Sequence, residues 1–254
     1  MTKVNETDLG LRERHMEISG KCAVVTGGTD GIGIEIARQL QAKGASVIVC
    51  GRRADYLEAA AAQGIEAISA DLSNAKGCEE FAAKLSGRTI DILINNAGMG
   101  GNFGPGEPVD LDLTDRALFL NLNAPMHLIA RMLPGLLERS EAAIVNVTSG
   151  LALAPRAGGP VYCASKAGLR SFTQALRHNL AKTNIHVIEA LPPVVETAMT
   201  ADRDGGKMTA KDCAAEIVHA IAANKAEANI GMVKILRLVY SISPALARKV
   251  MIRF

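Results

Sequence analysis

Short apolar runs and longer amphipathic stretches take turns along this chain. Residues 21–26, 46–50, 65–70, 90–94, 143–147 and 185–191 are runs dominated by Val, Ile, Leu and Ala, and they read as strands. The stretch 31–43 carries Ile32, Ile36, Ala37 and Leu40 at helical spacing and reads as the first helix. Further helices are expected over 54–63, 76–85, 114–138, 161–182 and 211–223, the one at 161–182 entered through the breaker run Gly158-Gly159-Pro160. A short strand near 229–233 and a C-terminal helical stretch close the pattern. Strand and helix alternate without a linker or repeat between them. The expected fold class is therefore α/β, a single-domain doubly wound parallel sheet with helices on both faces over residues 21–254. Residues 1–20 lack any period and are expected to form an N-terminal arm.

Composition narrows this picture. Hydrophobic residues make up 48% of the 254 but aromatic residues only 3%, so the core must be built from small aliphatic side chains. That suits buried parallel strands. A net charge of +2 gives no reason to expect a nucleic-acid partner. Cys22, Cys50, Cys78, Cys163 and Cys213 are odd in number and form no Cys-x-x-Cys, so neither a disulfide framework nor zinc is expected. His15, His127, His178, His186 and His219 show no metal-ligand spacing, and no metal is expected. Residues 1–19 are polar, and no apolar run reaches the roughly 18 residues of a spanning helix. A cytoplasmic protein in a reducing compartment is the expectation, with membrane association not expected.

The turn Thr26-Gly27-Gly28-Thr29-Asp30-Gly31-Ile32-Gly33 lies between the first strand and the first helix. Such a turn aims backbone N–H groups and the positive end of a helix dipole at one place, which suits a diphosphate. Glycine lets the ligand approach the backbone and lets helix and strand pack closely. The bland alternative is a tight turn. Where the second strand ends, an acidic residue would favour a ribose diol and arginine a 2′-phosphate. Arg52 and Arg53 stand there, so NADP(H) is the expected cofactor, with NAD(H) the alternative. Asp30 adds a negative charge that counts against this, and both arginines also read as solvated loop charges. Asp71, with Leu72 beside it, follows the third strand. Asp71 suits the adenine amino group or, equally, a turn or helix cap.

Three motifs now stand in one order. They are Thr-Gly-x-x-x-Gly-x-Gly at 26–33, Asn95-Asn96-Ala97-Gly98, and Tyr162-Cys163-Ala164-Ser165-Lys166. Together they resemble the short-chain dehydrogenase/reductase family over about residues 18–200. The resemblance implies a Rossmann-type sheet, a nicotinamide cofactor and a carbonyl or alcohol substrate. Most members carry Pro-Gly after the sixth strand, whereas this chain has Leu191-Pro192-Pro193-Val194-Val195-Glu196-Thr197, which resembles the DltE-like branch. By the same resemblance, Gly27, Thr29, Asp30, Gly31, Ile32, Gly33, Ala97, Gly98, Pro192, Val195 and Thr197 meet the cofactor. Asn95 sits at that rim and serves structure. A homodimer or homotetramer through helices 112–139 and 160–182 is the family's habit.

Hydride transfer to a carbonyl leaves charge on oxygen, and a proton must follow. A phenol with a pKa near ~10 is a poor base unless a cation favours its phenolate. Tyr162 and Lys166 are four residues apart and share one helix face. Family members use such a lysine both to lower the tyrosine pKa and to bond the nicotinamide ribose. Ser149, at the end of the fifth strand, can bond the substrate oxygen. Thr148 competes on residue type, and the resemblance favours Ser149. Asn121 matches an asparagine that in relatives holds a water linking the lysine to solvent, with Asn123 a nearby alternative. An asparagine inside an apolar helix is unfavourable by propensity and invites a specific role.

The remaining features point less far. Arg156 reads as a solvated loop charge or as a partner for an anionic substrate. Leu151, Leu153, Val194 and Met199 suggest an apolar substrate. The apolar and basic run 233–254 reads first as core or subunit packing, and otherwise as a membrane-surface element. The competing function is a cofactor-binding sensor or scaffold without turnover. An epimerase or dehydratase on the same fold is disfavoured, because such enzymes carry an added C-terminal substrate region.

Overall fold

Alternation along each central strand divides its side chains between two cores. In β1 (Cys22–Thr26), Ala23 and Val25 enter one core and Val24 the other, all three fully buried. The computed structural model describes residues 15–100, 108–201 and 205–253. The other strands are β2 (Ser46–Gly51), β3 (Glu66–Ser69), β4 (Ile92–Asn95), β5 (Ala142–Val147), β6 (Ile185–Leu191) and β7 (Glu227–Asn229). They form one seven-stranded sheet in the order β3-β2-β1-β4-β5-β6-β7, with every pairing parallel. With both faces covered, the strands need no polar side, which is why they read as unbroken apolar runs.

Helices α1 (Gly31–Ala42) and α7 (Ala210–Ala222) cover one face through Ile36, Leu40, Ile217 and Ile221. Helices α3 (Ala75–Lys84), α5 (Ala124–Leu137) and α6 (Pro160–Asn179) cover the other, through Phe81, Leu128, Leu136 and Phe172. A short α2 (Ala54–Ala61) joins β2 to β3. The chain order reverses where β1 lies beside β4, with Val25 opposite Ile94. The loops leaving these two strands diverge there and open a crevice at their carboxyl ends.

Three expectations change. The helix expected over 114–138 starts earlier, as α4 (Leu111–Leu118), because the Asp110 carboxylate accepts the Leu113 N–H at 2.9 Å. A π-helical turn, Phe119–Asn123, then separates α4 from α5. Pro125 follows it, and a residue without an N–H cannot close the regular ladder at that point. The last strand lies at Glu227–Asn229 rather than 229–233, since Gly231 turns the chain at φ +52° and Val233 begins α8 (Val233–Ile242). A further helix, α9 (Pro244–Met251), follows. Part of the expected arm is packed. Met16 and Ile18 are buried, and the Met16 N–H donates to the Ala222 carbonyl at 2.8 Å. Residues 1–14 lie outside the described residues.

Candidate active site

The glycine-rich turn occupies the crevice where the strand order reverses. Asp30 caps α1 by accepting the Gly31 N–H at 2.6 Å. The N–H groups of the next residues, Ile32 and Gly33, belong to a first helical turn that has no internal acceptor. Gly27 has φ +59°, and a Cβ there would lie 2.9 Å from the Ala97 Cα. At Gly33 a Cβ would lie 2.2 Å from the Gly27 carbonyl oxygen, so helix and turn touch backbone to backbone. A Cβ on Gly31 would meet Thr197 Cγ2 at 3.0 Å, which brings the segment after β6 over the turn. Thr29 packs against Gly51 at the end of β2. One crevice thus gathers Gly27, Thr29, Asp30, Gly31, Gly33, Ala97 and Thr197. A cradle closed to a methyl group, beside first-turn N–H groups that no described residue accepts, fits a dinucleotide diphosphate.

Two residues outside the expected set hold this cradle. Thr26 Oγ1 accepts the N–H groups of Asn96 and Ala97, each at 3.0 Å, and donates to the Ile94 carbonyl. The Asn96 amide donates to the carbonyls of Thr26 at 3.0 Å and Gly27 at 3.2 Å. Their signal was visible, since both stand in the quoted motifs. Asn95 points instead into the protein, donating to Asn146 Oδ1 at 2.8 Å, and the Asn146 Nδ2 group in turn donates to Thr173 Oγ1.

The two arginines after β2 differ. Arg53 pairs with Asp55 at 2.6 Å and lies 3.9 Å over the Tyr56 ring, so its charge is already engaged. Arg52 is exposed and makes no ion pair with the described residues. Asp71 accepts the Ser73 N–H at 3.1 Å. Burial raises its carboxyl, but bonds from Ser73 and the charges of Arg52 and Arg116 bring it below the ordinary carboxylate value. Leu72 and Val195 are core side chains, and any contact they make with a ligand must use their backbone. Ile32 likewise packs against the core. The Pro192 carbonyl accepts the Gly150 N–H at 2.9 Å, tying the end of β6 to the loop after β5.

Deeper in the crevice, Lys166 is buried on α6 and donates from Nζ to the Val147 carbonyl at 2.8 Å. Its Nζ lies 5.8 Å from the centre of the Tyr162 ring, one helical turn earlier. Burial alone pulls the Lys166 ammonium down to about 8. Asn121 is fully buried within the π-helical turn, while Asn123 is exposed. Its side chain accepts the Met99 N–H and donates to the Met99 carbonyl, both at 2.9 Å, and donates to Ser165 Oγ at 3.1 Å. Ser165 completes the tie by donating to the Tyr162 carbonyl at 2.8 Å. A Cβ on Gly98 would meet Asn121 Oδ1 at 3.1 Å and Lys166 Nζ at 3.6 Å. Gly98, Asn121 and Lys166 therefore share one small space.

Ser149 and Thr148 differ in their partners. Thr148 Oγ1 donates to the buried Glu189 at 2.8 Å and also to the Ala190 carbonyl. Among the described residues the Ser149 oxygen accepts only the Leu151 N–H, at 3.2 Å, and caps the short turn Gly150–Ala152. Of the expected apolar lining, Leu153 is instead core, packed with Leu191 and Val233. Leu151 is partly buried, whereas Val194 and Met199 are exposed. Two surface hollows lie elsewhere, one between α3 and α5 and one at the amino ends of β1 and β2. Being lined by none of the residues above, they have no bearing on this chemistry.

The sequence profile of the family described as short chain dehydrogenase matches residues 21–208. The chain is a short chain dehydrogenase. It is 40% identical over 197 residues to the uncharacterized oxidoreductase DltE of Bacillus subtilis strain 168, covering 72% of this chain and 75% of that one. This places the dehydrogenase in the DltE-like branch. A short-chain dehydrogenase from Sphingobium yanoikuyae in complex with NADPH superposes with a TM-score of 0.76 at 27% identity, covering 82% and 87% of the two chains. One from Burkholderia cenocepacia J2315 in complex with NADP gives a TM-score of 0.84 at 24% identity, covering 93% and 99%, and shows the shared fold. The protein is thus an oxidoreductase of this family. Its altered Pro192-Pro193 segment keeps Thr197 over the glycine-rich turn.

Proposed function

We propose that this dehydrogenase moves a hydride between NADP(H) and a carbonyl or alcohol, with Tyr162 as the acid and base. The observation that carries this reading is the space shared by Lys166, Asn121 and Gly98 beside a glycine cradle, with Lys166 Nζ 5.8 Å from the centre of the Tyr162 ring. A bound nicotinamide dinucleotide supplies or takes up the hydride. Ser149 holds the substrate oxygen through its hydroxyl. Tyr162 gives that oxygen its proton during reduction and takes it back during oxidation. Lys166, held by the Val147 carbonyl, stabilises negative charge on the Tyr162 oxygen and bonds the nicotinamide ribose. Asn121 fixes the Met99 backbone and, through Ser165, the start of α6. Its polar side chain, in an otherwise apolar helix, also serves to hold a water that connects Lys166 to solvent.

Arg52 takes the ribose 2′-phosphate, because Arg53 is committed to Asp55. NAD(H) remains the alternative cofactor. Asp71, with the Leu72 backbone, meets the adenine, and the Val195 backbone meets the carboxamide. Exposed Val194 and Met199 favour an apolar substrate. The subunits associate as a homodimer or homotetramer through α4, α5 and α6, where Leu111, Leu113 and Leu137 are exposed.

The test combines cofactor titration with turnover. Wild type should bind NADPH more tightly than NADH, and Arg52→Ala should weaken NADPH by about 10–100-fold while sparing NADH. Tyr162→Phe should keep NADPH affinity and lose turnover across a carbonyl panel. Undiminished turnover in that variant sinks the acid/base assignment. Equal NADPH binding by Arg52→Ala sinks the phosphate assignment alone.

A further inference from the structure

Helix α8 is apolar on both sides. Its inner side, through Val233, Leu236 and Tyr240, packs on Leu153 and Leu191. Its outer side carries Met232, Ile235, Leu238 and Ile242, which are 56–78% exposed. The stripe continues onto α9 with Leu246 and Val250, also exposed. Lys234, Arg237 and Ser241 give the helix one polar flank, so the outer apolar stripe is a second apolar side that the described residues do not cover. The sign of the charge identifies the cover. Residues 233–253 contain Lys234, Arg237, Arg248, Lys249 and Arg253 and no acidic residue. Lys234 and Arg237 are answered by Glu216 and Glu227, while Arg248, Lys249 and Arg253 pair with none of the described residues.

We propose that the outer face of α8 and α9 docks on an anionic lipid surface. Exposed apolar side chains enter the interfacial layer, and the unanswered cations meet acidic headgroups. The helices are 10 and 8 residues long, too short to span, so they lie along the surface. A second copy is the poorer cover. An isologous contact sets a patch against itself, and the unanswered Arg248, Lys249 and Arg253 would meet a second stretch 233–253 that has no acid to pair them. The inner side and start of α8 pack beside the loop that follows β5 and the segment that follows β6. A Cβ on Gly150, next to Ser149, would meet Val233 at 2.8 Å, and one on Gly231 would meet Pro193 at 3.4 Å. Docking through the outer side holds α8, and with it these two segments, near the lipid. Docking is measured without turnover, so it stands or falls apart from the hydride-transfer reading.

The experiment is co-sedimentation of the full chain with vesicles, either phosphatidylcholine alone or phosphatidylcholine mixed with phosphatidylglycerol. The chain should sediment with the mixed vesicles and not with the neutral ones, and added salt should release it. Arg248→Gln/Lys249→Gln should lower partitioning by roughly 30-fold, and Ile235→Ser/Leu238→Ser should lower it comparably. Unchanged circular dichroism shows that these surface variants fold. No sedimentation with the mixed vesicles overturns the proposal, as does equal sedimentation with both kinds. If Ile235→Ser/Leu238→Ser instead splits a dimer in analytical ultracentrifugation while vesicle binding is absent, a second copy covers the face and the proposal is wrong.

Discussion

Lys166 shows at residue scale how a functional charge opposes stability. Its pKa falls from 10.5 to about 8 because burial disfavours the ammonium. The unfolded chain therefore holds a proton that the native state has released between about pH 8 and pH 10.5. Where the unfolded state binds more protons, stability rises with pH, so this lysine makes the cofactor-free protein more stable as pH climbs through that window. Below it the native state carries a buried ammonium, at a cost on the order of 3 kcal/mol. Denaturant unfolding at pH 7.5 and pH 10 should show a gain in wild type that is absent in Lys166→Met. Other groups titrate in the same range, so the difference between the two proteins is the quantity to read. An identical pH response in both would remove burial as the cause. The four-residue spacing sets Lys166 one helical turn from Tyr162, with Nζ 5.8 Å from the ring centre. Residue type alone leaves Thr148 and Ser149 alike, because the bond that engages Thr148 goes to Glu189, 41 residues away on β6.

At the scale of elements, the chain announced its strands and helices through apolar period, and the structure keeps their order. What it withheld were breaks caused by single residues. The π-helical turn at Asn121 interrupts no apolar spacing, so a period count runs through it, and only Pro125 hints at it. The short β7 was misplaced because Ile230 and Val233 look strand-like, while the turn at Gly231 is a backbone property. Glycines test this difference between pattern and packing. Gly33→Ala sets a Cβ 2.2 Å from the Gly27 carbonyl, so α1 must move off the turn. Overpacking of this kind costs about 1–3 kcal/mol, and dinucleotide affinity should be lost with it. Gly135 lies inside α5 with nothing within 4 Å of its Cβ position. Gly135→Ala should therefore stabilise by about 0.4–1 kcal/mol and leave affinity unchanged. Thermal unfolding with and without NADPH separates the two variants. Equal behaviour would mean that the turn tolerates side chains and is no cradle.

Across the whole molecule, one charge network joins the crevice to the far edge of the sheet. Arg170, one turn beyond Lys166 on α6, pairs with fully buried Glu189 on β6 and with Glu227 on β7 at 3.1 Å. Glu189 also accepts the Thr148 hydroxyl beside Ser149, and Glu227 faces Arg237 on α8 at 3.7 Å. The helix bearing the proposed acid, the strand end bearing the proposed hydroxyl and the C-terminal helix thus share one set of charges. Neither composition nor spacing shows this, since the partners are separated by up to 57 residues and each alone is an ordinary charge. Breaking a buried pair strands a charge, whereas removing both partners does not. Arg170→Met should therefore destabilise by about 3–5 kcal/mol, lowering the melting temperature by roughly 10 °C or more for a chain of this size. The double variant Arg170→Met/Glu189→Leu should recover much of that loss, although Thr148 then lacks one acceptor. If both proteins melt at the same reduced temperature, the cost comes from lost packing around Arg170 and the network carries no stranded charge. If the double variant recovers stability but turns over more slowly than wild type, the network's contribution lies in holding α6 against the end of β5.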